Sequence, residues 1–342
     1  MPFDEQHFLK TPSGATLNLF VKKARQAARA VIQINHGLAE HAGRYAAFAD
    51  FLAKRGFHVY AQDHRGHGRT KAQDALPGMF ARKDGVRKVV ADVASVHDLI
   101  SAEHPGLPVI VFGRSIGALI ALSFLRERAR PVVGVAIWDY PEENRLFVHT
   151  ARLLLAWERF RLGSDAPSHF LRHFVSDRAG EACEVPPLRP LRGHLSPTSV
   201  GERKGARRGS RPFLSPVERG RGGARSATEC VSTVAYDRPR AVGEAFTAVP
   251  LCGWPPTISL WSDMFAMTDE LSKPGAFDRI SLDLPLYLAG GERLVERLRR
   301  RGFSNLISGS YPENRQDWLN EPDGTQAMQD FAAWIDHGVL ET

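Results

Sequence analysis

PVIVFGRSIGALIALSF, residues 108–124, is the stretch that decides the fold. Residues 108–112 form a short apolar run of the buried-strand type, and 116–128 carry apolar side chains at helical spacing. Between them, Gly113-Arg114-Ser115-Ile116-Gly117 fits the pattern G-x-S-x-G. The pattern alone is a weak signal. Its place between a strand and a helix gives it force, because a nucleophile elbow needs that strand–turn–helix setting. Small residues two before and two after the serine let the turn close. The hydroxyl of Ser115 is then held at the top of the sheet, at a helix N-terminus whose dipole favours developing negative charge. The plainer reading of Ser115 is a helix N-cap after an ordinary βα turn. Acyl transfer also needs two donors for an oxyanion. The N–H of Ile116 supplies one, and His36-Gly37-Leu38, closing an earlier strand, offers the N–H of Leu38 as the second.

Outward from this stretch, strands and helices alternate. Strands are expected at 17–21 (paired with the segment around Phe8), 30–35, 57–62, 108–112 and 132–138. Helices are expected at 44–55, 84–103 and 116–128. This rhythm predicts an α/β fold, a mostly parallel sheet flanked by helices. After Asp139 it stops. Residues 144–175 read as helical and unusually apolar, as either a packed cap helix or an interfacial one, and 251–272 as a further cap element. Strands resume at 284–289 and near 304–311, with helices at 292–301 and 324–337. The expected plan is a core of residues 1–139 and 280–342, with a cap or lid inserted at 140–279.

The chain has 342 residues, 43% hydrophobic and 24% charged, enough apolar material for a large core. Its three cysteines, Cys183, Cys230 and Cys252, exclude a disulfide scaffold and a cysteine-rich zinc site. The start, MPFDEQHFLK, does not resemble a secretory signal, and no apolar run is long enough to cross a bilayer, so a cytoplasmic location is expected. The net charge of +7 belongs to residues 178–228, which hold ten Arg, one Lys and four Glu; the remainder of the chain is neutral. That basic stretch also holds six Pro and eight Gly and has no hydrophobic period. Residues 178–235 are therefore expected to be irregular, and nucleic acid is not an expected partner.

INHGLAEHAGRY (34–45), DHRGHGRT (63–70) and GRSIGA (113–118), with their spacing, resemble the monoacylglycerol lipase and lysophospholipase branch of the α/β-hydrolases, a serine aminopeptidase S33-type domain. ERFRLGSDAPS (158–168), PLCGWPPT (250–257) and the C-terminal stretch are similar to bacterial members of that branch. The likeness covers roughly 1–175 and 250–342. It implies an α/β-hydrolase fold with an inserted lid, hydrolysis of a carboxylic ester of the monoacylglycerol or lysophospholipid type, and no metal or organic cofactor. By the same resemblance Ser115 is the nucleophile, and Leu38 and Ile116 are the oxyanion donors. Arg114 stands where the family has His, and Ala118 where it has Gly.

Two further departures touch the catalytic set. The family's general-base His falls in a stretch that here reads YPENRQDWLNE, so Gln316 stands in its place. The family's acid follows the preceding strand, where Gly290-Gly291-Glu292 here runs straight into a helix, which leaves Glu292 as a weak candidate. Asp139, after the strand at 132–138, lies where some α/β-hydrolases keep their acid. Of thirteen histidines only His337 follows residue 194. His36, His41, His64 and His67 are expected in loops at the mouth of the site, and His149, His169, His173 and His194 in the cap. Gln cannot shuttle a proton, and a serine without a base is a poor nucleophile. Two readings follow. One is an ester hydrolase of reduced power using Ser115, with a small lipid ester as substrate and peripheral contact with a membrane surface. The other is a non-catalytic lipid- or acyl-binding protein of the same fold. The coincidence of the basic insert, the lost acid loop and Gln316 also fits a family member altered at the DNA level.

Overall fold

A computed structural model describes residues 3–127, 131–142, 144–171, 250–309 and 324–341. Gln316 and the basic segment 178–235 lie outside these residues. Nine strands form one sheet among the described residues: β1 (Glu5–Lys10), β2 (Ala15–Lys22), β3 (Ala30–Asn35), β4 (Phe57–Gln62), β5 (Lys71–Ala72), β6 (Val109–Arg114), β7 (Gly134–Trp138), β8 (Leu286–Ala289) and β9 (Leu306–Gly309). Their order is β1-β2-β4-β3-β6-β7-β8-β9, with short β5 against β2. β1, β2 and β5 pair antiparallel; from β4 to β9 every pairing is parallel. Phe8 sits opposite Asn18, as the early hairpin required.

The helices are α1 (Ala46–Ala53), α2 (Gly85–Glu103), α3 (Ile116–Glu127), α4 (Arg145–Leu162), α5 (Ile258–Ser272), α6 (Glu292–Arg300) and α7 (Gly324–Trp334). They cover both faces, and side-chain alternation along the strands divides the core accordingly. Val111, Val135, Ile137, Leu286 and Leu288 face α2, α3 and α5. Ile110, Phe112, Ala136, Trp138, Tyr287 and Ala289 face Phe48 of α1 and Phe331 of α7. Trp138, Phe112, Phe48 and Phe331 meet at ring separations of 5.2–6.2 Å, the spacing of tilted and edge-on aromatic pairs.

Between β7 and β8 the chain leaves the sheet. α4 packs on α5, and α5 on α2 and α3. The helix expected over 144–175 ends at Leu162. Gly163 takes φ 86° and stops it. The following loop folds back: the buried Glu158 carboxylate accepts the Ser168 hydroxyl at 2.6 Å and the N–H groups of His169 and Phe170. Thr257 caps α5, accepting the Leu260 N–H at 3.2 Å while donating its hydroxyl to Gly78 O at 2.6 Å. No helix among the described residues is long and apolar enough to cross a membrane.

Candidate active site

The elbow forms where β6, α3 and β3 come closest. Ser115 has φ 52°, left-handed backbone in a residue that bears a side chain. Its N–H is fixed by Trp138 O at 2.9 Å, and its carbonyl accepts the Ala118 N–H at 3.0 Å to start α3. A methyl group on Gly113 would collide with Gly117 O, and one on Gly117 with Asn35 O. The two glycines of the pattern are thus required by backbone approach, and the N-cap alternative does not account for them. The side chain is half-buried, so it is reachable from solvent.

The loop after β3 lies directly against the serine. A Cβ built on Gly37 would stand 3.6 Å from Ser115 Cβ and 2.7 Å from Glu40 Oε1. The peptide leading to Leu38, and Ile116 at the start of α3, therefore flank Ser115 from two sides. The loop is set by Glu40, a buried carboxylate that accepts the Gly37 N–H and the Tyr45 hydroxyl (2.8 Å) and lies 3.3 Å from Arg44 Nε. Burial pushes the Tyr45 hydroxyl well above its usual value, so it remains a donor. Asp63 does the same for the next loop: it accepts the Ala42 and Arg69 N–H groups and the Asn18 amide, each at 2.8 Å. Gly68 is forced there, because any side chain would strike that carboxylate.

The histidines expected at the mouth form a buried cluster. The rings of His36 and His64 are 4.3 Å apart, and those of His36 and His67 5.2 Å. His36 Nε2 accepts the His64 N–H, and His67 Nδ1 meets Arg65 O at 3.1 Å. Burial holds all three imidazoles neutral. It lowers His36, drives His64 well below the ordinary value and brings His67 down to about 3. Imidazoles so depressed are weak bases. The segment before α5 seats on this cluster: the Trp254 ring stands edge-on to His67 at 4.7 Å, and the Gly253 N–H donates to Ala39 O at 2.9 Å.

The other candidates fall as follows. Asp139, at the end of β7 with φ 50°, accepts from Arg114 Nε at 2.7 Å. Glu292 is exposed in the first turn of α6 and makes no hydrogen bond or ion pair among the described residues. His337 is exposed and pairs with Glu341. A cavity of about 270 Å³ opens elsewhere, between the start of α2 and the inserted helices, lined by Arg82, Lys83, Arg159, Ser262 and Asp263. Burial raises the Asp263 carboxyl to about 7, and the left-handed residue lining this cavity is Asp84 (φ 59°), not a serine. Motif reading alone passes over Glu40. Its signal is an acid three residues beyond a His-Gly pair, on the short loop that must bend back over the serine.

This serine turn beneath a His-Gly loop, on a mostly parallel sheet with helices inserted before β8, has the architecture of the α/β-hydrolase fold. The serine aminopeptidase S33 family matches residues 26–138. The chain is 38% identical over 96 residues to a monoacylglycerol lipase of Mycolicibacterium smegmatis, covering 28% of this chain and 32% of the relative. It is 30% identical over 137 residues to the monoglyceride lipase of Homo sapiens, covering 40% and 43%. Among solved structures, a highly thermostable carboxyl esterase from Bacillus coagulans superimposes with a TM-score of 0.71 at 15% identity, covering 98% of each chain. The chain has the α/β-hydrolase fold, and its N-terminal part resembles the serine aminopeptidase S33 family and monoacylglycerol lipases. It spans less than half the length of these curated relatives.

Proposed function

We propose that the protein is a serine hydrolase of lipid carboxylic esters, of the monoacylglycerol or lysophospholipid type. One observation carries the reading: Ser115 is held in left-handed backbone at the start of α3, with the His36–Glu40 loop packed against it. In the proposed reaction the Ser115 oxygen attacks the ester carbonyl, and the resulting oxyanion is received by the N–H groups of Leu38 and Ile116. Collapse releases the alcohol, and water then hydrolyses the acyl-enzyme. α4 and α5 act as the cap over the acyl chain. The proton acceptor is the weak point, because Gln316 replaces the family's His and Glu292 is exposed, with no bond among the described residues. That observation favours the second reading, a binding protein that has lost turnover. Hydrolysis of a short-chain aryl ester and a medium-chain monoacylglycerol by wild type and Ser115→Ala separates the two. Ser115-dependent turnover is expected, with a loss of at least about a hundredfold in kcat/KM on substitution. Equal rates near background would establish the binding reading.

We propose that lipid is met at a membrane surface through α4. Val148, Ala151 and Leu155 face inward, while Leu146 (70% exposed), Leu153 (73%), Trp157 (50%) and Phe160 (89%) face out. Four arginines lie on the helix, and its one acid, Glu158, is turned inward and buried. An apolar stripe flanked by cations suits anionic interfaces. Co-sedimentation with phosphatidylglycerol vesicles is expected to weaken about tenfold in Leu153→Ser/Phe160→Ser, from the loss of roughly 1 kcal/mol or more of apolar burial. Unchanged partition would remove this face from the proposal.

A further inference from the structure

We infer that Arg114 is a positioning residue that clamps the loop carrying Leu38 to the nucleophile elbow. This deepens the hydrolase reading and rests on it for its catalytic consequence. Arg114 is the last residue of β6, directly before Ser115. Its guanidinium donates through Nε to Asp139 Oδ2 at 2.7 Å, and its Nη1 lies 3.6 Å from Glu40 Oε2. The Asp139 N–H is in turn fixed by Ala289 O at 2.9 Å. One side chain therefore joins the ends of β3, β6 and β7, and through the Asp139 backbone the end of β8. The connection that matters runs through Glu40. This carboxylate also accepts the Gly37 N–H, which fixes the His36–Gly37 peptide, while the next peptide, the one carrying the Leu38 N–H, is held at its carbonyl by His36 Nδ1 (2.8 Å to Gly37 O). The path Arg114–Glu40–Gly37 sets the distance between the serine and the donor offered by Leu38.

The chemistry of the side chain suits this task. A guanidinium spreads five N–H donors over a rigid plane, so it can serve two carboxylates at once. The histidine that the family resemblance places here has two ring nitrogens and loses its charge near neutrality. Arg114 also bonds the Tyr45 hydroxyl; without it Glu40 keeps Gly37, Tyr45 and Arg44, so the loop remains attached to its own strand while it loses its tie to the elbow. The effect falls on the transition state, where the donor must meet the oxyanion, and much less on substrate binding.

The test compares wild type with Arg114→Met and Asp139→Asn. Asp139 is partly exposed, so its variant releases one arm of the clamp with little demand on folding. Amide hydrogen exchange, read by mass spectrometry on the 36–45 segment, is expected to rise about tenfold in Arg114→Met and several-fold in Asp139→Asn, with α2 unchanged. On the aryl ester, kcat is expected to fall about a hundredfold in Arg114→Met, in the range for losing one oxyanion donor, with KM within twofold of wild type. Arg114→Lys should restore only part of the rate. Unaltered exchange in 36–45 in both variants overturns the clamp, as does a rise in KM with kcat intact. If Arg114→Met does not fold, exchange in Asp139→Asn alone settles the matter: a several-fold rise in 36–45 supports the clamp, and no change overturns it. Wild-type turnover independent of Ser115 would instead sink the hydrolase reading, and the exchange data would still judge the clamp.

Discussion

Asp92→Ala is expected to cost about 3–5 kcal/mol of folding stability, the loss typical when one member of a buried ion pair is removed. Asp92 projects from α2 onto Arg65, whose side chain is fully buried. All five donors of that guanidinium are engaged. Nε reaches Asp92 Oδ2 at 2.7 Å; Nη1 reaches Asp74 Oδ1 and Phe80 O, both at 3.2 Å; Nη2 reaches Ser13 O at 3.2 Å and Ser13 Oγ at 2.9 Å. The second oxygen of Asp92 takes the hydroxyls of Thr11 and Ser13. The pair therefore ties the β1–β2 turn, the 63–70 loop and α2 into one unit behind the histidine cluster. Removing the carboxylate leaves a permanent charge buried without its strongest partner, and Arg cannot lose its proton to escape. Urea unfolding of wild type, Asp92→Ala and the double variant Arg65→Met/Asp92→Leu checks this. The double variant should recover much of the loss, because replacing both charges by apolar groups of similar volume is far cheaper than orphaning one. A loss below about 1 kcal/mol in the single variant would refute the account.

What can be read from the sequence depends on how local each determinant is. β3 and β4 fall at 30–35 and 57–62, where apolar runs closed by His36-Gly37 and by the Asp63 turn place them, because both the drive and the stop lie within a few residues. The elbow is legible from its motif: Gly113 answers a collision with Gly117 four residues on, whereas Gly117 answers one with Asn35 on the neighbouring β3, which only the assembled sheet supplies. α4 ends at Leu162, short of the expected 175, where GSDAPS (163–168) carries Gly and Pro instead of an apolar period. The stop comes from Gly163 and from Glu158 folding residues 168–170 back, a side-chain interaction that periodicity does not report. The histidines at 36, 64 and 67 are expected from the sequence around an open mouth. They are buried because the Trp254 segment, distant in sequence, lies over them. Arg114, Glu40 and Asp139 are each visible as residues, but their union depends on the parallel order β3-β6-β7, which exists only once the sheet is assembled.

Acid should loosen this region first, and His67 sets the scale. Its folded value is about 3 against an ordinary 6.5, because burial opposes the imidazolium. Above pH 6.5 the ring is neutral in both the folded and the unfolded chain and contributes no pH dependence. Below it the unfolded chain binds a proton that the folded chain refuses. Stability is then lost as pH falls from 6.5 towards 3, at about 1.4 kcal/mol per pH unit. At pH 4.5 His67 alone accounts for about 2.7 kcal/mol. His36 and His64 are shifted in the same direction by the same cause and add to the loss. The cluster has no ready way to accept the charge. His67 Nε2 and both nitrogens of His64 are buried with no hydrogen-bond partner among the described residues. Protonation must therefore bring water in, and the element in the way is Trp254 with the 250–257 segment. Urea unfolding at pH 7.5 and 4.5, for wild type and His67→Phe, isolates the effect. The variant should be less stable at pH 7.5, having lost the bond to Arg65 O, yet its drop between the two pH values should be smaller by about 2–3 kcal/mol. Trp254 fluorescence should shift to longer wavelength before the main transition in wild type at pH 4.5. Identical pH dependence in the two proteins would show that His67 does not hold its proton off, and that the acid sensitivity of the fold lies elsewhere.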